Sequence, residues 1–349
     1  MKIAVIGDVF VEPDYFSKQI SQLPWRDEVE ILTYNWGVKD IADFQRHQRL
    51  IEENGPENMM YPAELENDIT NVVAIFTHMC PLPEKLLNKA DNLQLIGTCR
   101  GGLEHISDYA VKQKIPLINT IRNAEPVADF TIGLIIAETR NIARAHTRIK
   151  QGEWPNKFSN SAFTSNLCDL TIGLIGFGNI GRRVASKIIS LGAKVLVYDE
   201  FLTDEQIMIL NPKVEICSLT EIYQQSDVIS IHIRFEKQQQ PLIGTEAFSQ
   251  MKKNCILVNT SRAYAVDEKA LITALQEQKI AGAALDVFHQ EPLDPAHPFL
   301  KMENITLTAH LAGDTVQAIP KSPKLLVKEI LKAQASRPLS IFSANKRKG

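Results

Sequence analysis

The chain of 349 residues is predicted to be an α/β protein with two domains, each built around a parallel β-sheet. Short runs of β-branched residues alternate with helical stretches along most of the chain, which is the pattern of a parallel sheet. The length also exceeds the roughly 100–200 residues that one domain usually takes. Two parallel sheets in sequence are therefore expected.

The first third of the chain is predicted to supply one of these sheets. Its expected strands, with helices between them, cover residues 3–6, 72–76, 95–98 and 117–119. Apolar residues at helical spacing predict an amphipathic helix over 38–54, which Asn54-Gly55-Pro56 ends. A single long helix is expected from Asn123 to Ile149, and the loop after it separates the two sheets.

A second and more regular alternation begins at Leu170. Six parallel strands are predicted there, over residues 170–175, 194–198, 228–233, 255–259, 281–285 and 305–308. Such a series makes a doubly wound sheet. One more helix is expected over about 315–335, with Pro320 and Pro323 disturbing its first turns.

Composition and charge exclude several classes of protein. The chain is 44% hydrophobic and 23% charged, as ordinary globular proteins are, and 38 Lys and Arg stand against 41 Asp and Glu. No basic cluster with interleaved aromatics indicates nucleic acid as a partner. Five scattered cysteines without a CxxC pair indicate neither a disulfide framework nor a metal site. Without a long apolar run, we expect a cytoplasmic protein with no membrane partner.

The strand predicted at 170–175 leads directly into a glycine-rich turn and then a helix. The turn contains Gly176, Gly178, Asn179, Ile180 and Gly181. The first glycine allows the tight turn, the second lets the backbone approach a pyrophosphate, and the third lets helix and strand pack closely. In this context the pattern predicts a dinucleotide-binding site.

An acidic residue ends the following strand. Asp199 lies 18 residues after Gly181, where a carboxylate can accept both hydrogen bonds of an adenosine ribose. Its negative charge repels a 2′-phosphate, so we expect NAD rather than NADP as the cofactor. The competing interpretation is a glycine-rich turn of another α/β protein, with Asp199 capping a loop.

Three polar segments follow predicted strands, at the edge where open α/β sheets hold their ligands. They contain Arg262, Glu291 and His310. Oxidation of a 2-hydroxy acid needs a permanent cation for the carboxylate and a base for the hydroxyl proton, which an arginine and a histidine supply. A carboxylate bonded to the far nitrogen of that histidine would favour its protonated form.

Each of these three residues also has an ordinary structural explanation when it is considered alone. Arg262 fits a surface ion pair, Glu291 a turn before Pro292, and His310 a satisfied core histidine. The sequence context as a whole, rather than any one residue, favours the catalytic interpretation.

The chain resembles the D-isomer-specific 2-hydroxyacid dehydrogenases, particularly their phosphoglycerate-dehydrogenase-like branch. The resemblance covers about residues 72–318 and includes 123–131, 176–181, 251–262, 285–292 and 310–313. It implies a Rossmann NAD-binding domain over 122–311 and a smaller flavodoxin-like substrate domain over 1–121 with 312–349. It also implies a homodimer, and Arg262, Glu291 and His310 as the catalytic set.

The resemblance assigns further residues to ligands. It implies that Asp286 lies beside the nicotinamide amide, and that Thr260 and His232 line the cofactor. The family's usual Gly-Val-Gly turn at the substrate carboxylate is here Arg100-Gly101-Gly102. Its backbone N–H groups can still bind an anion, and the added cation fits a phosphorylated or sugar-derived acid; Arg100 turned to solvent is an equal alternative. His78 is expected either to contact substrate or to pack.

Two other functions are considered. A related branch that oxidises formate carries Gln where this chain has Glu291, which makes formate improbable. A non-catalytic NADH-sensing protein of the same fold can keep all three catalytic residues, so the residues alone leave it open. The identity of the 2-hydroxy or 2-keto acid is not predicted.

Overall fold

The computed structural model describes residues 1–235, 237–337 and 339–342, and these residues form two compact units. Unit 1 comprises Met1–Arg122 together with the described residues from Thr315 to Phe342, and unit 2 comprises the described residues of Asn123–Asp314. Each unit is organised around one parallel sheet with helices on its faces, which confirms the predicted α/β class.

Unit 1 contains a five-stranded parallel sheet in the order β2-β1-β3-β4-β5, which is the flavodoxin-like order. Its strands are β1 (Lys2–Gly7), β2 (Glu30–Asn35), β3 (Val72–Thr77), β4 (Leu95–Thr98) and β5 (Leu117–Asn119). Its helices are α1 (Pro13–Ile20), α2 (Ile41–Asn54), α3 (Ala63–Asp68), α4 (Glu84–Leu87) and α5 (Tyr109–Lys112).

Unit 2 contains a seven-stranded parallel sheet in the order β12-β11-β10-β9-β6-β7-β8, which extends the Rossmann order by one strand. Its strands are β6 (Thr171–Ile175), β7 (Lys194–Tyr198), β8 (Glu215–Ile216), β9 (Val228–Ile231), β10 (Ile256–Asn259), β11 (Gly282–Leu285) and β12 (Ile305–Leu307). Its helices are α6 (Ala124–Thr139), α7 (Ile142–Lys150), α8 (Gly181–Ser190), α9 (Asp204–Leu210), α10 (Leu219–Gln225), α11 (Thr245–Gln250) and α12 (Glu268–Gln276).

The strands are apolar on both faces because helices cover both sides of each sheet. In β1, Ala4 and Ile6 belong to one apolar cluster, whereas Ile3 and Val5 belong to the cluster on the opposite face. Helix α13 (Ser322–Ser336) adds Leu326 and Ile330 to the second cluster. The last helix therefore completes the core of unit 1, although most of unit 1 precedes unit 2 in the chain.

Two predicted helices are wrong in their extent. The single helix expected over 123–149 is two helices, because Asn141 adopts a left-handed backbone with φ of 57° between α6 and α7. The last helix begins at Ser322 rather than near 315. Proline lacks an N–H and is tolerated only in the first turn, which is where Pro323 lies.

Strands β2 and β8 were not predicted, so the unit 2 sheet has seven strands rather than the expected six. Strand β8 has only two residues, and neither is buried. Strand β2 lies at the edge of the unit 1 sheet and pairs with β1, and Tyr34 is its one buried residue. An edge strand that is this exposed lacks the apolar run that identified its neighbours. In the part of the chain that the structure describes, no helix has the length and apolar character to cross a membrane.

Candidate active site

The carboxyl ends of β10, β11 and β12 lie side by side, because these parallel strands are neighbours in the unit 2 sheet. The segments that begin at Thr260, Asp286 and Thr308 continue from these three ends. This sheet edge therefore brings together the three segments that the sequence singled out, although they lie far apart along the chain.

Glu291 and His310 form a hydrogen-bonded pair at this edge. The distance between His310 Nδ1 and Glu291 Oε2 is 2.8 Å, and the two side chains are 53% and 38% exposed. Burial opposes ionisation of Glu291, but hydrogen bonds from His310 and from the Phe288 N–H outweigh it, so the pKa of Glu291 is lowered. An ionised carboxylate only accepts hydrogen bonds, so Nδ1 of His310 carries a proton and Nε2 faces away from the pair.

Asp286 holds the segment that carries His310. Its carboxylate is fully buried and accepts hydrogen bonds from Thr308 Oγ1 at 2.7 Å, from the Leu311 N–H at 2.9 Å and from the Ala312 N–H at 2.8 Å. His310 itself has a left-handed backbone with φ of 55°, which is uncommon for residues other than glycine. The Asp286 contacts on both sides of His310 hold the segment in this conformation.

Arg262 presents an exposed cation near the Glu291–His310 pair. Its Nη1 donates to the carbonyl oxygen of Ser261 at 2.8 Å, and within the described residues it forms no ion pair. Its charge contributes to the lowered pKa of Glu291. The backbone before it is held by Asn259, whose side chain donates to the Arg262 carbonyl and accepts from Ser261.

The glycine turn after β6 has the shape that a dinucleotide pyrophosphate requires. Gly176 has φ of 100°, and a Cβ at Gly181 would lie 2.1 Å from the carbonyl oxygen of Gly176, so neither position accepts a side chain. A Cβ at Gly178 would meet nothing within 4 Å. Among the described residues the backbone N–H groups of Gly178, Asn179 and Ile180 have no acceptor. These residues therefore fit a bound dinucleotide.

Asp199 follows β7, as expected, but most of its acceptor capacity is used within the chain. Its carboxylate accepts hydrogen bonds from the N–H groups of Phe177 at 2.6 Å, Phe201 at 2.9 Å and Leu202 at 3.0 Å. A carboxylate has about four acceptor positions. About one position is left, rather than the two that the sequence suggested for a ribose.

His232 and Thr260 lie near the same sheet edge and are held by short polar contacts. Burial lowers the pKa of His232 to about 3, so the ring is neutral; Nε2 lies 3.0 Å from Ser230 Oγ, and the buried Nδ1 has no partner among the described residues. Thr131 donates its hydroxyl hydrogen to the Val127 carbonyl, so the Thr260 hydroxyl donates to Thr131 Oγ1 at 2.8 Å. The lone pairs of Thr260 remain acceptors.

His78 in unit 1 is fully buried rather than presented on an open loop. Its Nδ1 lies 2.8 Å from Asp8 Oδ2, and its ring stacks on Phe44 with centroids 5.6 Å apart. Burial lowers the pKa of His78, although the Asp8 carboxylate opposes this shift. The neutral ring donates to Asp8 and leaves Nε2 as an acceptor, which has no partner among the described residues.

The turn after β4 carries the predicted anion site of unit 1. The Arg100 side chain is only 11% exposed, and its Nη2 donates to Glu52 Oε1 at 2.8 Å. The alternative of an Arg100 turned freely to solvent is therefore wrong. The carbonyl of Gly101 accepts from Asn119, while the N–H groups of Gly101 and Gly102 have no acceptor within the described chain.

Asp8, Glu52 and His105 were not singled out from the sequence. Asp8 directly follows β1, so the rule that polar residues after parallel strands meet at one edge would have identified it. His105 is fully buried, with Nε2 2.8 Å from Thr98 Oγ1. Glu52 lies on the exposed side of α2, and no local signal connects it with Arg100, 48 residues away.

Comparison with known proteins identifies the family. Residues 132–312 match the family model of the D-isomer specific 2-hydroxyacid dehydrogenase NAD binding domain. A glyoxylate reductase of Thermofilum pendens is 36% identical over 79% of this chain and 83% of its own length. A D-3-phosphoglycerate dehydrogenase of Methanocaldococcus jannaschii is 32% identical over 71% of this chain, but only 47% of its own length is matched.

A solved structure extends the similarity to nearly the whole chain. The D-lactate dehydrogenase of Aquifex aeolicus, determined with NAD and lactic acid, is similar with a TM-score of 0.59 and 27% identity, covering 96% of both chains. Together with the family model and the curated relatives, this similarity confirms the expected cofactor, which is NAD. The chain therefore belongs to the D-isomer specific 2-hydroxyacid dehydrogenases and is an NAD-dependent oxidoreductase.

Proposed function

We propose that the protein interconverts a D-2-hydroxy acid and its 2-keto acid, with Arg262, Glu291 and His310 acting on the substrate. The 2.8 Å contact between His310 Nδ1 and Glu291 Oε2 carries this proposal. It orients the imidazole so that Nε2 can take the hydroxyl proton in oxidation and return it in reduction. The ionised Glu291 stabilises the imidazolium that forms after the proton is taken.

Arg262 binds the substrate carboxylate in this proposal. Its guanidinium is exposed, permanently charged and free of a competing carboxylate within the described residues. A two-pronged contact with the carboxylate fixes the orientation of the adjacent carbon, so that the hydroxyl or keto oxygen faces His310. NAD, when bound, accepts or supplies the hydride at that carbon.

The cofactor is proposed to be held by the turn after β6 and by the residues around it. Gly178, Asn179 and Ile180 bind the pyrophosphate through backbone N–H groups, and Gly176 and Gly181 give the turn its shape. Asp199 accepts one ribose hydroxyl, because three backbone N–H groups already occupy its carboxylate. The cofactor residues assigned further along the chain are His232, Thr260 and Asp286.

The substrate is proposed to be phosphorylated or sugar-derived, and to be bound by Arg100, Gly101, Gly102 and His78 of unit 1. Of the two relatives described above, the one named for 3-phosphoglycerate supports a phosphorylated acid, whereas the one named for glyoxylate supports only a small 2-keto acid. In this assignment unit 1 is the substrate domain and unit 2 is the NAD-binding domain. A homodimer is also proposed, and sedimentation velocity at several protein concentrations would test it.

Replacement of His310 tests the assignment of the base. We expect His310→Ala to lower kcat by about 10²–10⁴-fold, because the reaction loses its general acid–base group. Steady-state oxidation of NADH with 2-keto acids measures the loss, and fluorescence titration of NADH measures cofactor binding, which should be retained. Turnover that survives in His310→Ala would refute the assignment. A wild-type protein that binds NADH but reduces no 2-keto acid would favour the NADH-sensing alternative.

A further inference from the structure

The carboxyl edge of the unit 1 sheet contains an unusual group of buried polar atoms. Five of them have no hydrogen-bond partner among the described residues: His78 Nε2, Arg100 Nε, Arg100 Nη1, His105 Nδ1 and Thr120 Oγ1. They follow the ends of three neighbouring strands, β3, β4 and β5. Buried polar atoms are nearly always paired, so this group indicates a ligand that supplies the missing partners.

The ligand chemistry follows from Arg100. Its guanidinium has five N–H donors in one plane and cannot lose its charge. In the structure only Nη2 is bonded, to Glu52, while Nε and Nη1 are buried without acceptors. Nε and Nη1 lie on different edges of the guanidinium, so two oxygens of a carboxylate or a phosphate can bind side by side only where Nη2 joins one of them. An oxyanion that replaces Glu52 at Nη2 therefore also meets one of the two unpaired donors.

Glu52 acts as a replaceable counter-ion for Arg100. A buried cation without a partner is costly, and Glu52 Oε1 at 2.8 Å neutralises it. Glu52 belongs to α2, its side chain is 39% exposed, and the same oxygen also accepts from Gln48 Nε2 at 2.8 Å. An arriving oxyanion can replace Glu52 with little disturbance, because the displaced carboxylate is already in contact with water.

His78 adds a neutral acceptor to the same edge. His78 and Arg100 follow the neighbouring strands β3 and β4, and the charge of Arg100 contributes to the lowered pKa of His78. Asp8 holds the Nδ1 proton, and Nε2 is left to accept a hydrogen bond. A cation beside a neutral acceptor suits a group that carries both an oxyanion and a hydroxyl.

We propose that Arg100 selects 2-hydroxy and 2-keto acids that carry a second oxyanion, a phosphate or a carboxylate, at the end remote from the reacting carboxylate. Glu52 occupies Arg100 until that second oxyanion displaces it. This inference rests on the proposed function, in which Arg262 binds the reacting carboxylate. A substrate with one carboxylate leaves Arg100 paired with Glu52 and gains no binding energy from Arg100.

The first test replaces the cation by a neutral side chain of similar length, Arg100→Met. NADH-dependent reduction is measured with glyoxylate, which has no remote group, with oxaloacetate, which has a remote carboxylate, and with phosphohydroxypyruvate, which has a remote phosphate. We expect the kcat/KM for the preferred dianion, relative to that for glyoxylate, to fall by about 10–100-fold, as loss of a contact to a charged group implies. The dianion with the larger loss identifies the chemistry of the remote group.

An equal loss with all three keto acids would overturn the inference, because Arg100 would then serve the reacting carboxylate. If the wild-type protein reduces none of them, the proposed function has failed. Calorimetric titration of phosphohydroxypyruvate and of oxaloacetate into the wild-type protein and into Arg100→Met then tests the role of Arg100 independently of turnover. Equal affinities in the two proteins, or binding to neither, would refute it.

The second test removes the competitor. Glu52→Gln lies on an exposed helix face and keeps the shape of the side chain, so the fold should persist, and circular dichroism checks this. We expect the kcat/KM for the preferred dianion relative to that for glyoxylate to rise by about three- to tenfold. Glu53→Gln, on the same helix and without a side-chain hydrogen bond among the described residues, is the matched control. An unchanged or reduced ratio in Glu52→Gln would show that Glu52 is no competitor.

Discussion

The carboxyl edges of the two sheets differ in how far their polar groups are hydrogen-bonded within the chain. In unit 2, Asp286 accepts three hydrogen bonds and Glu291 accepts two, so both carboxylates are engaged within the chain. In unit 1, His78 and Arg100 are buried with polar atoms that have no partner among the described residues. At the unit 2 edge the carboxylates are satisfied within the chain, and His232 Nδ1 is the one buried side-chain atom there without a partner among the described residues, whereas the unit 1 edge has five such atoms.

This difference matches two tasks of a dehydrogenase. A proton-transfer group must hold one geometry before substrate arrives, and hydrogen bonds within the protein supply that constraint. A site discriminates more strongly between acids when the wrong acid leaves buried polar groups of the protein without hydrogen bonds. The satisfied edge in unit 2 therefore suits the chemical step that the family shares, and the unsatisfied edge in unit 1 suits the choice of substrate.

The largest effect is expected from removing the buried carboxylate that holds the His310 segment. Asp286→Ala leaves the Leu311 and Ala312 N–H groups without an acceptor, each at a cost of about 1–3 kcal/mol, and leaves the Thr308 hydroxyl only its 3.4 Å contact with the Leu285 carbonyl. We expect the free energy of unfolding to fall by several kcal/mol, and kcat to fall by about 10²-fold because His310 is misplaced. Urea denaturation and steady-state kinetics measure the two effects.

Asp267→Ala is the control for that variant. Asp267 caps α12 by accepting from the Ala270 N–H, and its loss should cost about 1 kcal/mol without affecting kcat. If Asp286→Ala behaves like Asp267→Ala in both measurements, the edge of unit 2 does not depend on its internal hydrogen bonds.

A smaller effect is expected for the partner of His310. The pKa of Glu291 is lowered, because hydrogen bonds from His310 and from the Phe288 N–H outweigh the effect of burial. Glu291→Gln keeps a hydrogen bond but removes the negative charge that stabilises an imidazolium formed during the reaction. We expect kcat for keto-acid reduction to fall about tenfold, less than in His310→Ala, and steady-state oxidation of NADH measures it. An unchanged kcat would argue against the acid–base role of the pair.

The unsatisfied edge should also be sensitive to acid. Burial holds the pKa of His105 well below 6.5. Below pH 6.5 His105 binds a proton in the unfolded chain but stays neutral in the folded protein. The free energy of unfolding therefore falls as the pH drops below that value, by up to about 1.4 kcal/mol per pH unit. His105→Gln should flatten this dependence in urea denaturation between pH 7 and 5, whereas His146→Gln, at an exposed helix position, should leave it unchanged. Equal slopes in both variants would contradict the prediction.

The smallest effect is expected at Asp199. Asp199→Asn removes the charge that repels a 2′-phosphate, while the remaining oxygen can still accept from Phe201 and Leu202. At about 4 Å in water such a repulsion amounts to about 1 kcal/mol. We therefore expect the preference for NADH over NADPH, measured as a ratio of kcat/KM values, to fall about fivefold. A ratio that stays constant would mean that Asp199 serves only to hold the backbone.

Much of the fold could be predicted because it depends on local patterns. Most strands were found from short apolar runs, and the turn at Gly176 from its glycines and the flanking strand and helix. The exceptions have physical causes. Strand β2 lies at an exposed edge, and the break at Asn141 depends on a left-handed backbone at a residue that carries no unambiguous signal.

The sequence by itself determined the fold class and the NAD-binding family, and it singled out Arg262, Glu291 and His310 as the proposed catalytic set, because residue type and position after a strand are local properties. Only the tertiary structure decided how side chains share their hydrogen bonds. The pairing of Arg100 with Glu52, the burial of His78 against Phe44 and the occupied acceptors of Asp199 depend on contacts between distant segments. Such contacts arise when strands and helices pack, and no local pattern encodes them.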